Sequence, residues 1–381
     1  MQSEAGSAQL NNSLIKRVAG LVTKVSDAFA FPLRTSHYIE LVNPLWSTHA
    51  LQARVEAVWD ETSDSRTITL RPGLNWRSHR PGQHLRIGVP IGGQHFTRTY
   101  SISSAPERND GCFTITVKAI DNGRMSHHLV RKLKVGDYVP IGVPQGDFYL
   151  PDAQPVLPLF ITAGSGITPI MSMLRSLVLQ ERMPNTVHIH YAPHTYDVIF
   201  GRELKEIADR QKLYTLNLVH TREPGQKPED ITGKRPHFSK EQLEQLCPDW
   251  RKRDVYACGP QTMLDSIEKL YESEGLSRQV HTERFRAQLA GVPTEVKTGV
   301  VKFLNSNVSA NSDGETNLLR LAEDSGLNPE HGCRMGICHG CDVKLASGCV
   351  RDLRTNALIN ETGQVIQICV CAAVGDAEIE V

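Results

Sequence analysis

The sequence carries no excess of either charge. Its 381 residues include 42 Lys and Arg against 42 Asp and Glu. A strongly basic surface attracts nucleic acid or anionic lipid, and this balance gives neither attraction. We therefore expect a small-molecule or protein partner and no nucleic-acid partner.

Long apolar runs are also missing. No stretch approaches the roughly 18 uninterrupted apolar residues of a membrane-spanning helix, and Met1 to Leu10 lacks the basic start and apolar middle of a secretion signal. We expect a cytoplasmic protein without a membrane span, whose contact with a membrane-bound partner would be transient. Without repeats or low-complexity tracts, a chain of this length is expected to form two or three domains.

Cysteines are sparse through most of the chain and concentrated near its end. Cys112, Cys247 and Cys258 are scattered, whereas the other six of the nine fall within residues 333–381. An odd, clustered set does not suit a disulfide framework, and clustered cysteines in a reducing compartment usually bind metal or do redox chemistry.

The densest part of this cluster is HGCRMGICHGC. Cys333, Cys338 and Cys341 have the C-x4-C-x2-C spacing of a loop whose thiolates wrap a [2Fe–2S] cluster. The intervening glycines permit the tight curvature that such a loop needs. Zinc is a minor alternative, because zinc sites more often use paired short spacings or histidines. From the residues alone, the fourth ligand is either Cys369 or Cys371.

Changes in residue pattern divide the chain into five segments. We predict an N-terminal strap or extension at residues 1–50, an antiparallel β-barrel at 51–152, and a doubly wound α/β domain at 153–287. A linker at 288–298 and an α+β domain at 299–381, which carries the cysteine cluster, complete the chain.

Hydrophobic periodicity supports these boundaries. Phe113, Ile115 and Val117 alternate with polar residues, as in antiparallel strands with one buried face. From Pro155 onward, apolar runs, a Gly-rich turn and helical stretches alternate, which predicts a parallel doubly wound sheet.

Two motifs in the barrel segment suit a flavin. In Arg98-Thr99-Tyr100-Ser101, a Tyr ring can stack on an isoalloxazine, a Ser hydroxyl can bond near its N5, and an Arg can neutralise phosphate. Gly123 to Ser126 opens a predicted helix, whose N-terminus would receive a pyrophosphate. A pyrophosphate favours FAD over FMN. The alternatives are an ordinary half-buried strand and a plain helix cap.

Two further motifs in the α/β segment suit a nicotinamide coenzyme. Residues 162–169 (TAGSGITP) end a strand and open a helix, as a phosphate-binding turn should. Cys258-Gly259-Pro260 likewise follows a strand, although a lone Cys258 would more often be a small buried hydrophobe. A 2′-phosphate needs nearby cations, and Arg202 and Arg222 favour NADPH over NADH. The alternative is that these are solvated helix residues.

Together these motifs resemble the ferredoxin-NADP reductase superfamily, from about Gln52 onward. RTYS, GRMS, GSGITP and CGP are similar to its RxYS, GxxS, GxGxxP and CGP elements, and Glu283 with Phe285 resembles the element that ends its reductase domain. The C-terminal segment resembles plant-type ferredoxins, in which a cysteine, six residues and an acidic residue precede a final strand. Cys369 and Asp376 match that interval, so the resemblance implies Cys369 as the fourth ligand and a β-grasp-like fold.

The resemblance also implies roles for individual residues. Tyr100, Ser101 and Cys258 are expected at the site of catalysis. The residues expected to bind FAD or NAD(P)H are Arg98, Tyr100, Ser101, Lys118, Gly123, Met125, Ser126, Gly164, Gly166, Thr168, Pro169, Cys258, Gly259, Pro260, Arg202 and Arg222. The expected cluster ligands are Cys333, Cys338, Cys341 and Cys369.

The function implied is a relay from NADPH through FAD and the cluster to a partner metalloenzyme, because a flavin accepts electrons in pairs and releases them singly. The order of the domains resembles reductases of oxygenases. Asn43 to Ser47 (NPLWS) resembles bacterial reductases that serve membrane fatty acyl-CoA desaturases, which makes a desaturase the first expectation for the partner. An aromatic-ring or alkane oxygenase is the alternative, and a redox sensor without turnover is a third.

Overall fold

The computed structural model describes residues 42–47, 50–121, 123–151, 157–222, 237–285, 296–332, 334–336 and 339–381. Most of the predicted strap and most of the predicted linker lie outside the described residues, as do Cys333 and Cys338.

The first part of the chain forms an antiparallel barrel. Its strands are β1 (Gln52–Thr62), β2 (Ser65–Pro72), β3 (His84–Ile91), β4 (Gln94–Ser101), β5 (Phe113–Lys118) and β6 (Tyr138–Pro140). Four of them form a sheet in the order β5-β2-β1-β6, while β3 and β4 form a ribbon. Single bridges, Ile102 with Ile115 and Ile87 with Ile141, join the ribbon to both ends of the sheet and close the barrel.

Apolar side chains fill this barrel, but β5 is buried on both faces and not on one as predicted, because Thr114 and Thr116 hydrogen-bond to the Ser103 hydroxyl. Val55, Ile68, Leu70, Ile87 and Ile115 are fully buried in one cluster. Helix α1 (Arg124–Arg131) covers one end of that cluster with buried Leu129 and Val130, because apolar residues at helical spacing fall on one face.

The second part is a five-stranded parallel sheet in the order β11-β10-β7-β8-β9. Its strands are β7 (Pro158–Ala163), β8 (Thr186–Ala192), β9 (Tyr214–His220), β10 (Asp254–Cys258) and β11 (Val280–Glu283). Its helices are α2 (Ile167–Leu179), α3 (Gly201–Arg210), α4 (Lys240–Leu246) and α5 (Gln261–Ser273). Pro169 lies in the first turn of α2, where a missing backbone N–H costs no helical hydrogen bond.

Helix α2 joins this sheet to the barrel. The Ser172 hydroxyl donates to the Ser104 carbonyl at 2.6 Å, and Arg175 donates to the Ser103 carbonyl at 2.7 Å. Ser172 and Arg175 lie in the middle of α2, so this part of the helix fixes the sheet to backbone groups of the barrel.

The third part is a mixed sheet in the order β13-β12-β17-β14-β15, with β16 paired to β14. Its strands are β12 (Gly299–Phe303), β13 (Val308–Ser312), β14 (Asp342–Asp352), β15 (Leu358–Ile359), β16 (Val365–Gln367) and β17 (Cys371–Ile379). The pair β12–β17 is parallel. Helix α6 (Leu318–Asp324), capped by Asn317 at the Arg320 N–H (2.9 Å), packs on this sheet through buried Leu318 and Leu319.

The predicted fold class is confirmed: an antiparallel flavin-type barrel, a parallel doubly wound sheet and a C-terminal α+β ferredoxin domain follow one another. Within the part of the chain that the structure describes, no helix is both long and apolar enough to cross a bilayer.

Candidate cofactor cleft and cluster loop

A cleft of about 1900 Å³ lies where the three parts meet. Pockets for one small molecule typically measure about 300–1,000 Å³, so this cleft has room for more than one ligand. Its walls come from the barrel, from the carboxyl ends of β7, β10 and β11, and from the third part through Met335 and Arg354. In a doubly wound sheet, the carboxyl ends of the strands are where ligands bind.

The barrel wall contains the predicted flavin residues. Arg98, Tyr100 and Ser101 on β4 all line the cleft. Arg98 donates to the neighbouring Thr97 carbonyl at 2.8 Å and forms no ion pair with any described residue. Burial and the nearby Arg334 cation lower the pKa of Arg98 to about 10, although Glu323 opposes this shift. A half-buried cation without a direct anionic partner fits the phosphate of a bound dinucleotide.

The start of α1 forms the adjoining wall, with Lys118, Gly123, Met125 and Ser126. The Ser126 hydroxyl donates to the Gly123 carbonyl at 2.9 Å, and a Cβ on Gly123 would lie 2.4 Å from that hydroxyl oxygen. Glycine therefore leaves the first turn of α1 open toward the cleft. Backbone N–H groups of a helix N-terminus bind phosphate oxygens, so this wall fits the FAD pyrophosphate.

The opposite wall contains the predicted nicotinamide residues. Gly164, Gly166 and Thr168 line the cleft, as do Gly259 and Pro260. A Cβ on Gly166 would lie 2.1 Å from the Cys258 carbonyl oxygen. The two glycine motifs are therefore in direct backbone contact, which only glycine permits at this position.

Two predicted residues of this wall lie behind the surface. Pro169 is buried within α2, and Cys258 is fully buried at the end of β10. Burial raises the pKa of the Cys258 thiol well above its ordinary value, and the negative charge of Glu283 adds to the shift. Cys258 is therefore a neutral thiol that supports the wall from behind.

The two predicted arginines differ in position. The Arg202 side chain is 86% exposed, pairs with Glu206 at 3.3 Å on α3, and does not line the cleft. Arg222 is exposed just beyond β9, and its backbone N–H donates at 2.8 Å to the carbonyl of Pro193, a cleft residue. Arg222 is therefore the cation nearer to the coenzyme end of the cleft.

The structure adds one residue, His84, that the sequence analysis did not assign. His84 lies in the cleft wall with its Nδ1 3.1 Å from the Glu283 carboxylate. The PGQHL stretch gives no sign that His84 has this role. The Glu283 carboxylate is far away in sequence, and only the packing of the barrel on the sheet brings it close to His84.

The cluster loop reaches the same cleft through Met335. Arg354 anchors this part of the loop by donating to the Gly336 carbonyl at 2.7 Å, while Asp352 holds Arg354 at 2.6 Å. Arg334 is held by Glu323 of α6 and by His331 Nε2, the latter at 2.9 Å. The loop is therefore fixed with Met335 lining the same cleft as the flavin residues.

The other predicted cluster ligands lie at the inner side of this loop. Cys341 and Cys369 are both buried, and the Cys341 carbonyl accepts the Ile368 N–H at 3.3 Å. Cys369 lies in the turn between β16 and β17, next to that contact, whereas Cys371 pairs with Asp352 within β17. A turn beside Cys341 fits a fourth thiolate ligand better than a position inside the strand ladder.

Comparison with known sequence families assigns all three parts. Residues 58–149 match the oxidoreductase FAD-binding domain, and residues 160–269 match the oxidoreductase NAD-binding domain. Residues 302–374 match the 2Fe-2S iron-sulfur cluster binding domain. The predicted cofactors, FAD, a nicotinamide coenzyme and a [2Fe–2S] cluster, are confirmed.

Individual relatives agree with this assignment. An NADPH oxidoreductase of Mycobacterium tuberculosis is 40% identical over 361 residues, covering 94% of this chain and 91% of the relative. A glycine betaine monooxygenase reductase subunit of Chromohalobacter salexigens is 31% identical over 326 residues, covering 80% and 87%. The solved structure of phthalate dioxygenase reductase shares the fold with a TM-score of 0.63 at 22% identity, covering 87% of this chain and 98% of that one.

The fold and the shared cleft define a flavin-, nicotinamide- and iron–sulfur-dependent oxidoreductase. The chain belongs to the family of NAD(P)H oxidoreductases that join FAD-binding, NAD-binding and 2Fe-2S domains in one polypeptide. The predicted enzyme class and the predicted relationship to the ferredoxin-NADP reductase superfamily are thereby confirmed.

Met335 gives a first prediction. Met335→Ala should slow cytochrome c reduction through the cluster several-fold, because the loop loses the side chain that lines the cleft shared with the flavin residues, while NADPH-dependent dye reduction is retained. Stopped-flow comparison of flavin and cluster absorbance measures the rate of electron transfer from the flavin to the cluster. Met335→Leu, which keeps the volume, is the matched control. Equal losses with both acceptors would contradict a role for Met335 between flavin and cluster.

Proposed function

We propose that this chain is an NADPH-dependent reductase component that supplies single electrons to a metal-containing partner enzyme, and that a membrane fatty acyl-CoA desaturase is that partner. The observation that supports this electron relay is the shared cleft. Its lining includes Arg98 and Tyr100 for the flavin, Gly166 and Gly259 for the nicotinamide coenzyme, and Met335 of the cluster loop.

FAD, when bound, takes electrons in pairs from NAD(P)H and gives them up singly, as a [2Fe–2S] cluster requires. The chain's own residues bind the cofactors and orient them. Arg98 and the start of α1 hold phosphate, Tyr100 offers its ring, and burial raises the pKa of this phenol so that it stays neutral. Gly164, Gly166 and Thr168 bind the coenzyme phosphates, and neutral Cys258 supports their turn from behind.

The preference for NADPH is part of the proposal. Arg222 beside Pro193 is the cation best positioned for a 2′-phosphate. The nearby Asp197 carboxylate lies 2.8 Å from His194 Nδ1, so it has a partner of its own. The printed name of the mycobacterial relative, NADPH oxidoreductase, supports the same coenzyme.

Arg222→Ala should raise the KM for NADPH about tenfold, since a charge-assisted hydrogen bond is worth roughly 1.5–3 kcal/mol, and leave the KM for NADH unchanged. Arg202→Ala is the matched control and should leave both values unchanged, because Arg202 is exposed and paired with Glu206. Steady-state kinetics with NADPH and with NADH measure the two KM values for each variant. A tenfold effect from Arg202→Ala alone would reverse the assignment.

The desaturase proposal rests on the NPLWS segment. Pro44–Trp46 forms a 3-10 turn against the barrel, where the Leu74 N–H donates to the Leu45 carbonyl at 3.2 Å. Trp46 is 47% exposed. The turn thus presents an aromatic ring at the surface, as a segment that meets a partner would.

Reconstitution tests this proposal. The purified holoenzyme is combined with an acyl-CoA desaturase in phospholipid vesicles, and NADPH-dependent formation of the double bond is measured. Cys338→Ser is the control, since it should retain dye reduction and give no desaturated product. Absence of product, with cytochrome c reduction intact, would exclude the desaturase.

An aromatic-ring or alkane hydroxylase or dioxygenase is the second candidate. It is supported by the printed names of relatives, among them the glycine betaine monooxygenase reductase subunit and a 3-ketosteroid-9-alpha-monooxygenase ferredoxin reductase component from Mycolicibacterium smegmatis, 29% identical over 325 residues. The same holoenzyme supplied with an oxygenase component and NADPH should then consume that component's substrate. Because the chain belongs to a family of enzymes, turnover is favoured over redox sensing.

A further inference from the structure

Arg354 joins the two segments that carry the predicted cluster ligands. It follows β14, and the N–H of the preceding Leu353 donates to the Val370 carbonyl at 2.8 Å. Because Val370 comes directly after Cys369, Arg354 starts beside the segment of the predicted fourth ligand. From there its guanidinium reaches the cluster loop and donates at 2.7 Å to the Gly336 carbonyl.

Gly336 leaves the space in which this guanidinium lies. Its φ is +70°, and a Cβ there would come within 2.5 Å of Arg354 Nη1 and 2.7 Å of Val370 Cγ2. Glycine alone combines this backbone conformation with so close an approach. The cluster loop is therefore packed against both Arg354 and the residue that follows Cys369.

Asp352 holds the guanidinium and gives the ion pair a direction. Its carboxylate accepts from Arg354 Nε at 3.1 Å and from Nη2 at 2.6 Å, which leaves Nη1 for the Gly336 carbonyl. Asp352 belongs to the β14–β17 ladder, whereas Arg354 lines the cleft. The positive end of the pair is therefore at the loop and the cleft, and the negative end is at the ladder.

The cysteine sulfurs nearby feel these charges. Burial raises the pKa of the Cys371 thiol to about 12, and Asp352 adds to this rise while Arg354 opposes it. In return, the hydrogen bond of Asp352 raises the pKa of Arg354 most, and the charges of Cys371 and Cys369 add to that rise. The side chains of Asp352 and Arg354 are 13% and 32% exposed, so solvent screens their charges only in part.

Arg334 is the neighbouring cation of the loop, and its contacts differ. Its guanidinium donates to Glu323 of α6 at 2.9 Å and contacts His331 Nε2 at 2.9 Å. It does not line the cleft. Arg354 is therefore the loop cation that lies toward the flavin residues.

Electron transfer from the flavin changes the charge at this loop. The reduced flavin loses one electron, the cluster gains it, and the net charge of the cluster becomes more negative by one. The potential of such a cluster depends on the charge, hydrogen bonds and solvent exposure around it. A fixed cation at the loop favours the reduced cluster by Coulomb attraction.

We propose that the Arg354–Asp352 pair sets the driving force of this electron transfer, with the Arg354 charge raising the potential of the cluster relative to that of the flavin. Arg354 is a positioning residue that acts through the loop. This inference rests on the proposed electron relay, because it concerns the step from flavin to cluster, and it does not depend on the partner.

The first experiment is a redox titration of the holoenzyme with dithionite, followed by flavin absorbance and by the electron paramagnetic resonance of the reduced cluster. Arg354→Gln keeps an amide that can donate to Gly336 but removes the charge. It should shift the one-electron equilibrium about tenfold toward the flavin, which is about 59 mV in cluster potential. Arg354→Lys keeps the charge and should stay within about threefold of the wild type. The flavin potential should not change in either variant.

Asp352→Asn should have the opposite effect. It removes the negative end of the pair, while its amide oxygen still accepts from Arg354, so the equilibrium should move toward the cluster. Arg320→Gln is the control, because Arg320 on α6 is 70% exposed and pairs with Asp324 at 3.6 Å. It should leave both potentials unchanged.

Iron content and visible absorbance establish that each variant holds its cluster. An unchanged cluster potential in a cluster-bearing Arg354→Gln would overturn the proposal. If Arg354→Gln loses the cluster, Asp352→Asn decides alone, and an unchanged or lowered potential there overturns the proposal.

A single-turnover measurement separates this proposal from the relay on which it rests. One equivalent of NADPH, added without oxygen, should leave less reduced cluster in Arg354→Gln than in the wild type and more in Asp352→Asn. The rate of flavin reduction should be the same in all three proteins. If the relay itself fails, NADPH leaves the wild-type cluster oxidised, while the potentials measured with dithionite still differ among the variants.

Discussion

Cys369→Ser should give a protein that binds FAD and reduces dyes with NADPH but contains no [2Fe–2S] cluster. Iron should fall from about two atoms per chain to background, and cytochrome c reduction should fall with it, because a cluster of this type needs four ligands. Iron content, visible absorbance and the electron paramagnetic resonance of the reduced cluster measure the loss. Cys369 lies in the turn beside Cys341, where a fourth thiolate would be needed.

Cys371→Ser is the matched control for that prediction. Its side chain is as deeply buried, but its backbone belongs to the β14–β17 ladder opposite Asp352. It should retain the cluster at the cost of some stability, since a hydroxyl replaces a buried thiol. Loss of the cluster in Cys371→Ser and its retention in Cys369→Ser would assign the fourth ligand to Cys371.

Gly166→Ala should abolish productive binding of NADPH and destabilise the doubly wound domain. The added Cβ would lie 2.1 Å from the Cys258 carbonyl oxygen and 2.8 Å from the Gly259 nitrogen. Because neither backbone atom can rotate away, the two coenzyme motifs must separate, and overpacking of this kind costs about 1–3 kcal/mol. Thermal melting and the KM for NADPH measure the two effects.

Gly164→Ala separates steric contact from backbone strain. Gly164 has a φ of +53°, yet a Cβ there meets nothing within 4 Å. It should therefore lose only the roughly 1 kcal/mol of stability of a left-handed non-glycine residue, so its melting temperature should fall less than that of Gly166→Ala. If Gly164→Ala is the more damaging variant, the close approach of the two motifs is not what Gly166 provides.

Much of the molecule follows from local sequence signals. The alternation around Phe113 predicted strands of the barrel, and the run of apolar strand, glycine turn and helix from Pro158 to Leu179 predicted β7 and α2. These signals are local because hydrophobic period and turn chemistry act over a few residues. The motifs RTYS, GRMS, GSGITP and CGP likewise pointed to one flavin and one nicotinamide site, and most of their residues line one cleft.

The sequence predicted the positions of side chains less well where function depends on contacts between distant segments. It treated Arg202 and Arg222 alike, whereas the structure turns Arg202 to solvent on α3 and brings Arg222 beside Pro193. It gave Cys258 a place beside the nicotinamide, and the structure buries that thiol behind Gly259. The direction of a side chain depends on which elements pack around it, and a motif does not contain that information.

The sequence by itself determined the order of three domains and the kinds of cofactor they bind, because metal-ligand spacing and phosphate-binding turns are local chemistry. Only the tertiary structure decided that Met335 of the cluster loop lines the same cleft as the flavin residues and that His84 meets Glu283. The physical reason is that both contacts join segments far apart in the chain, and they form only when the barrel, the parallel sheet and the ferredoxin domain pack around one cleft.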